Sequence, residues 1–160
     1  MSPDELMQLA LEEAVRAEAA GEIPIGCVIW HQPTQRIIGR GHNLRENDCD
    51  PTAHAEIVAL RQAALALGHW RVTDSILAVT LEPCPMCAGA IVSARVPQII
   101  YGCVDPKAGA VRTLYSLCDD PRLNHRCDVH AGVRAEESAD LLRAFFQARR
   151  AQQKFIGRNE

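Results

Sequence analysis

Long apolar runs are missing from this sequence of 160 residues. None approaches the roughly 18 consecutive apolar residues that a membrane span needs, so we expect no membrane-spanning helix. Aromatic residues make up only 4% of the chain, which argues against a broad surface for stacking nucleic-acid bases. The formal charge of −3 excludes a protein that coats nucleic acid through a general excess of positive charge. Any contact with nucleic acid must therefore come from a local basic patch.

The overall composition is that of a globular domain, with 48% apolar and 23% charged residues. The length predicts a single domain spanning residues 1–160. The acidic start Met1–Glu5 lacks the basic-then-apolar pattern of a secretory signal, so we expect a cytoplasmic protein. Seven cysteines are many for such a chain. In the cytoplasm they indicate a metal site and buried thiols rather than a disulfide framework.

Hydrophobic periodicity and turn residues predict an alternation of helices and strands. Helices are predicted at Asp4–Ala20, from Thr52 as N-cap to Leu67, at Pro85–Ala94 and at Ala135–Arg150, with a short helix at Thr113–Cys118. Strands are predicted at Ile25–Trp30, Arg36–Gly41, Ile76–Thr80, Gln98–Cys103 and Asp128–Ala131. This order predicts a three-layer α/β domain with a mixed sheet between helices. The 24 residues between the last two strands favour a parallel crossover over a hairpin.

One histidine and two cysteines have the chemistry of a zinc site. His54 is followed by Cys84 and Cys87, and a Cys-x-x-Cys pair can reach one ion from the first turn of a helix. The positive end of the helix dipole also favours the thiolate form. Three protein ligands leave a fourth position for water, whose pKa zinc lowers to roughly 7. The pattern therefore predicts a catalytic zinc ion.

Two other interpretations of these cysteines stay open at this point. A structural zinc site would take a fourth ligand from another histidine or from one of the other cysteines, which are Cys27, Cys49, Cys103, Cys118 and Cys127. A thioredoxin-type redox pair would use Cys84 and Cys87 alone and would need no histidine upstream.

A carboxylate lies two residues after the histidine. Glu56 and His54 would point to different sides of a continuous helix, so they can share a site only across a helix N-terminus. Glu56 is then predicted to be the general acid and base rather than a metal ligand. The alternative is a solvated carboxylate on the helix surface. His-x-Glu followed by Pro-Cys-x-x-Cys is the signature of zinc deaminases that act on cytosine or adenine.

The sequence resembles the bacterial tRNA-specific adenosine deaminases over roughly residues 20–150. The matching segments are Gly41–Asn43, Asp50–Glu56, Leu81–Ala90, Asp105–Ala110, Asn124–Arg126 and Leu141–Arg150. The resemblance implies the cytidine-deaminase-like fold, with a three-layer α/β/α arrangement around a five-stranded mixed sheet. It also implies a homodimer with one zinc ion per subunit, acting on the wobble adenosine of the tRNA anticodon loop and forming inosine.

Site residues follow from the resemblance position by position. His54, Cys84 and Cys87 are expected to hold zinc, and Glu56 to move protons. Substrate binding is expected from Asn43, Ala55 and Asp105, and RNA contacts are possible at Lys107, Arg149 and Arg150. Two features depart from the family pattern: His42, and a short basic tail with only Lys154 and Arg158 after Arg150. Both bear on how strongly RNA is bound and not on the chemistry. Trp70 and Phe145 are expected in the core.

Two further functions are carried as alternatives. One is a deaminase of free bases or nucleosides, of the guanine or cytosine type. The predicted parallel crossover argues against the cytidine deaminase branch, where a tight hairpin is expected. The other is a zinc-binding interaction module without catalysis, for which Glu56 would have no use.

Overall fold

The computed structural model describes residues 1–156. Its helices are α1 (Pro3–Ala19), α2 (Ala55–Leu67), α3 (Pro85–Ser93) and α4 (Ala135–Ile156). Its strands are β1 (Gly26–His31), β2 (Arg36–His42), β3 (Ser75–Leu81), β4 (Gln98–Cys103) and β5 (Asp128–Ala131). Among the described residues, no helix is both long enough and apolar enough to cross a membrane. Arg158 lies outside the described residues.

The five strands form one mixed sheet in the order β2-β1-β3-β4-β5. Strand β1 is antiparallel to both β2 and β3, whereas β4 is parallel to β3 and to β5. The predicted parallel crossover into the last strand is therefore confirmed. Helices α1 and α4 pack on one face of the sheet, and α2 packs on the other face together with α3. This is the predicted three-layer α/β/α arrangement.

Alternating residues of the central strands fill a core on each face of the sheet, as the period of a strand requires. Leu77 and Ile99 point toward α2 and α3, while Ala78 and Ile100 point toward α1. Because both faces are covered, β3 is apolar almost throughout rather than alternating.

The topology brings three strand ends to the same edge of the sheet. Strands β2, β3 and β4 all run in one direction, and α2 and α3 begin after β2 and β3 respectively. The N-termini of both helices therefore meet at the carboxyl edge. Gly39 and Gly41 let α2 lie close to β2, because a Cβ atom at either glycine would overlap the backbone of that helix.

Several local predictions are wrong. The N-cap of α2 is His54, not Thr52, whose hydroxyl instead donates to the Asp50 carboxylate over 2.7 Å. Residues 113–118 form a turn followed by irregular backbone rather than a helix, and α4 continues beyond Arg150. Trp70 is 53% exposed rather than in the core, and Phe145 is half-buried.

Candidate metal centre and active site

His54 lies where β2 and α2 are joined by a loop, at the N-cap position of α2. Its extended backbone ends the loop, and its carbonyl accepts the first helical hydrogen bond, from Val58 N–H over 3.0 Å. No side-chain capping bond is made by His54. The imidazole is therefore available at the helix terminus instead of being used as a cap.

The two cysteines lie at the start of α3. Cys84 is the N-cap residue, Pro85 occupies the first turn, and Cys87 follows within that turn. Cys87 is buried and Cys84 is half-buried. The sequence prediction that both thiols lie at a helix N-terminus is confirmed.

The three ligand atoms have the spacing of a tetrahedral zinc site. Nδ1 of His54 lies 3.6 Å from Sγ of Cys84 and 3.6 Å from Sγ of Cys87. Bond lengths of about 2.3 Å to sulfur and about 2.0–2.1 Å to nitrogen give an N-to-S edge of about 3.6 Å in a tetrahedron. The imidazole and thiolate donors also suit zinc chemically. The site therefore fits one zinc ion, held by Nδ1 and the two Sγ atoms.

No fourth protein ligand from residues 1–156 joins this cluster. Within residues 1–156, the group of potential ligands that converge here consists of His54, Cys84 and Cys87. The other five cysteines were the alternatives for a structural site, and none of them joins the group. Three protein ligands are the arrangement of catalytic rather than structural zinc sites.

The two thiols have very different pKa values. Hydrogen bonds from Cys87 and His54 lower the pKa of Cys84 to about 4. The same thiol contact, together with burial, raises the pKa of Cys87. The pKa of His54 is raised, chiefly by its hydrogen bond to Cys84. The lowered pKa of Cys84 favours its thiolate form, which is the form in which a cysteine binds zinc.

Glu56 lies in the first turn of α2 and is only 4% exposed. It lines the same cavity as His54 and Cys84 but does not belong to the ligand cluster. Burial raises the pKa of this carboxyl to about 7. The position across the helix N-terminus is the one that the sequence required for a shared site, and a solvated surface carboxylate is excluded.

A cavity of about 380 Å³ opens beside the metal centre. Four further predicted residues line it, namely Asn43, Ala55, Asp105 and Lys107. Asn43 is 5% exposed, and its Oδ1 accepts a hydrogen bond from Arg45 N–H over 3.2 Å, which fixes the amide at the cavity wall. Ala55 is the first residue of α2, where backbone N–H groups have no partner within the helix.

Other residues of the cavity wall were not indicated by the sequence. Arg45, Glu82, Val104, Leu142 and Phe146 all line it, and Phe146 is 39% exposed. Arg45 follows Asn43 by two residues, and that proximity is the one signal that could have indicated it. The predicted RNA contacts Arg149 and Arg150 are exposed on α4 and do not line the cavity.

The comparisons with known proteins agree with this geometry. The family model of the cytidine and deoxycytidylate deaminase zinc-binding region matches residues 1–103. The fold, the zinc site and Glu56 define a zinc-dependent deaminase.

Three relatives narrow the assignment. The tRNA-specific adenosine deaminase of Bacillus subtilis is 46% identical over 99% of this chain and 98% of its own length. A solved structure from a study of A-to-I editing by tRNA:A34 deaminases is 43% identical, with a TM-score of 0.81, over 86% of this chain and 99% of the other. The guanine deaminase of Bacillus subtilis is 31% identical, with a TM-score of 0.62, over 71% of this chain and 82% of the other. The chain belongs to the cytidine and deoxycytidylate deaminase family and, within it, to the tRNA-specific adenosine deaminases.

Proposed function

We propose that the protein deaminates the wobble adenosine of tRNA to inosine by hydrolysis. The observation that carries the proposal is a three-ligand metal centre with a buried, non-ligating carboxylate at the wall of one cavity. The similarity to tRNA-specific adenosine deaminases over almost the whole chain supports the choice of adenosine in RNA.

The chemistry needs a nucleophile and a group that moves protons. His54, Cys84 and Cys87 would hold a zinc ion, which would lower the pKa of a water molecule to roughly 7 and so provide the nucleophile. Glu56 accepts a proton from the attacking water and gives it to the adjacent ring nitrogen, so that the carbon bearing the amine becomes tetrahedral. Glu56 then takes the proton of the new hydroxyl group and delivers it to the amine, so that the carbon–nitrogen bond breaks, ammonia leaves and the carbonyl of inosine remains.

A nucleotide from an RNA loop suits the cavity. Enzymes of this class take the target base out of the stack, which costs least where the base is unpaired. We infer that Asn43 and the N–H of Ala55 hold the base, and that Asp105 meets a flanking nucleotide. At the cavity wall, Arg45 and Lys107 offer positive charge for phosphates, and Phe146 offers a ring for stacking.

The exposed end of α4 supplies further positive charge. Arg149 and Arg150 are exposed, and the guanidinium carbon of Arg149 lies 5.5 Å from the centre of the Phe145 ring. Arg143 on the same helix is instead paired with Glu136 and Asp140. We therefore assign the RNA phosphate contacts of α4 to Arg149 and Arg150. We also infer a cytoplasmic location, since tRNA is the substrate.

The substrate test compares an anticodon stem-loop carrying adenosine at the wobble position with free adenosine, guanine and cytidine. We expect inosine from the stem-loop and no measurable turnover of the free compounds. A stem-loop with adenosine at another loop position is the matched control, and it should remain unchanged. Turnover of guanine without turnover of the stem-loop would instead support the alternative, a free-base deaminase.

We further propose that the protein is a homodimer joined through α3 and the neighbouring loops. Large apolar side chains are exposed around this helix, including Met86 at 36%, Trp70 at 53% and Leu123 at 40%. Trp70 and Leu123 form one shallow surface with Gly89 and Val92 of α3. An apolar surface of this kind is typical of an interface between protein chains.

Gly89→Arg is expected to convert the dimer into a monomer. A Cβ atom at Gly89 meets nothing within 4 Å, so the fold tolerates a side chain there, whereas a partner seated on α3 does not. Sedimentation at micromolar concentration measures the change. Val15→Arg on the opposite layer, at a residue 50% exposed, is the matched control and should remain dimeric. A wild-type monomer, or a dimer that survives Gly89→Arg, would contradict the assignment.

A further inference from the structure

We infer that Glu82 is a positioning residue that holds the substrate loop, which we define as residues 105–113. The inference rests on the proposed function, because the loop is assigned to RNA binding there. It adds a residue that neither binds zinc nor moves protons. Glu82 is the residue after β3 and is only 1% exposed.

The Glu82 carboxylate is the centre around which the substrate loop folds. Its Oε1 accepts hydrogen bonds from three consecutive backbone N–H groups, those of Val111 (3.2 Å), Arg112 (2.7 Å) and Thr113 (3.0 Å). Its Oε2 accepts one from Asp105 N–H (3.1 Å) and one from the Thr113 hydroxyl (2.6 Å). Both oxygens of this buried carboxylate are therefore used.

Successive backbone N–H groups that converge on one oxygen form an anion-binding nest. Here the anion is part of the chain itself, so both ends of the loop are held by a single side chain. Gly109 leaves the room that this requires, because a Cβ atom there would overlap Oε2 of Glu82. The burial of Glu82 raises the pKa of its carboxyl, but the hydrogen bonds from Thr113, Arg112 and Asp105 outweigh this and lower it.

The loop carries one wall of the cavity. The cavity is lined by Asp105, Pro106, Lys107 and Ala108 of this loop and also by Glu82. Oδ1 of Asp105 accepts hydrogen bonds from the N–H groups of Lys107 (2.9 Å) and Ala108 (3.2 Å). The Asp105 main chain is thus held by Glu82, and its side chain in turn shapes the residues that follow.

An amide in place of this carboxylate would disturb one end of the loop more than the other. If the NH₂ group introduced by Glu82→Gln replaced Oε1, it would face three N–H donors. In place of Oε2 it faces only the N–H of Asp105, because the Thr113 hydroxyl can reverse and accept. The second orientation costs less. Glu82→Gln therefore releases Asp105, while residues 111–113 stay bound.

The test measures RNA binding and turnover separately. Binding of the anticodon stem-loop is measured in a Glu56→Ala background, which prevents turnover, and kcat and KM are measured with Glu56 present. Glu82→Gln is expected to raise both Kd and KM by on the order of tenfold, because one buried donor loses its acceptor. We expect kcat to stay within about threefold and the zinc content to be unchanged.

A second variant and a matched control complete the design. Thr113→Val keeps the side-chain shape and removes only the bond to Oε2, so its effect should lie between those of wild type and Glu82→Gln. Glu22 is the control, because it is also 1% exposed and does not line the cavity. Its Oε1 accepts three hydrogen bonds from Glu46 and Asn47, whereas Oε2 has no partner among the described residues. Glu22→Gln can keep all three bonds and should bind RNA as wild type does.

The outcomes separate the inference from the function on which it rests. If the wild-type protein neither binds nor deaminates the stem-loop, the proposed function fails, and the inference fails with it. If the wild type is active and both Glu82→Gln and Thr113→Val match it in Kd and KM, only the inference is overturned. A fall in kcat with unchanged Kd would also overturn it, since Glu82 would then act on the chemistry. Should Glu82→Gln fail to fold, Thr113→Val alone decides between these results.

Discussion

Glu56→Ala is expected to lower kcat by roughly 10²–10⁴-fold, the usual contribution of a general acid–base group. The loss follows from position, because Glu56 is a buried carboxylate of the cavity that lies two residues after the ligand His54 and does not itself belong to the ligand cluster. Zinc should remain bound, since its three ligands are untouched. The melting temperature should not fall, because removing a carboxyl that is only 4% exposed relieves the cost of burying it. Single-turnover kinetics on the anticodon stem-loop measure the rate.

Glu56→Gln tests whether the role of Glu56 is proton transfer or only the filling of space in the cavity. The amide fills nearly the same space, but it cannot carry a proton from water to the base, so this variant should be as slow as Glu56→Ala. The zinc content of both proteins is the control for an intact site. If either variant retained more than about a tenth of the wild-type rate, Glu56 would not be the group that moves protons.

Cys87→Ser is expected to remove zinc and, with it, all measurable deamination. Cys87 is one of only three ligands in the described cluster, and serine offers a poor donor in place of a thiolate. The midpoint of thermal unfolding should also fall, because a metal that binds only the folded chain stabilises it. Metal analysis of the purified protein, together with an unfolding curve with and without a chelator, measures both effects.

Cys118→Ser is the matched control for this variant. Cys118 is as fully buried as Cys87, at 0% exposure, but it lies outside the ligand cluster. Both variants therefore carry the same free-energy cost of burying a hydroxyl group. Only Cys87→Ser should also lose zinc. Equal zinc contents in the two variants would contradict the assignment of Cys87 as a ligand.

The metal ligands could be predicted from sequence because their geometry is local. Cys84 and Cys87 belong to one helix start, and their short spacing indicates a shared ion. His54 begins another helix thirty residues earlier, and the signature that it forms with Glu56 indicates it. The parallel pairing of β4 and β5 could also be predicted, since the length of the connection decides it.

The cap of α2 was misplaced by two residues, because Thr52 is a good capping residue in isolation. In the folded chain its hydroxyl donates a hydrogen bond to the Asp50 carboxylate. His54 occupies the cap position instead, and its ring is available for zinc. The functional requirement thus overrides the local preference at this helix start.

The turn and irregular backbone at residues 113–118 could not be predicted from local propensity. The N–H groups of Val111, Arg112 and Thr113 bind the carboxylate of Glu82, which lies about thirty residues earlier in the chain. These bonds alone would be compatible with a helix start, because the first N–H groups of a helix have no partner within it. The N–H groups of Leu114 and Leu117, however, bind the carbonyls of Gly109 and Ala110, five and seven residues earlier, instead of carbonyls four residues earlier as in a helix. The core position predicted for Trp70 is wrong because its ring packs on the surface, stacked with His69 and with the Arg71 guanidinium 4.3 Å from the ring centre, and it is 53% exposed.

The most direct test of the central claim is deamination of a wobble-adenosine stem-loop in ¹⁸O-labelled water, followed by mass spectrometry of the RNA. We predict inosine at the wobble position alone, with one labelled oxygen in the base and ammonia released in equal amount. Unchanged adenosine in the presence of zinc-loaded protein, or conversion at another nucleotide, would contradict the account.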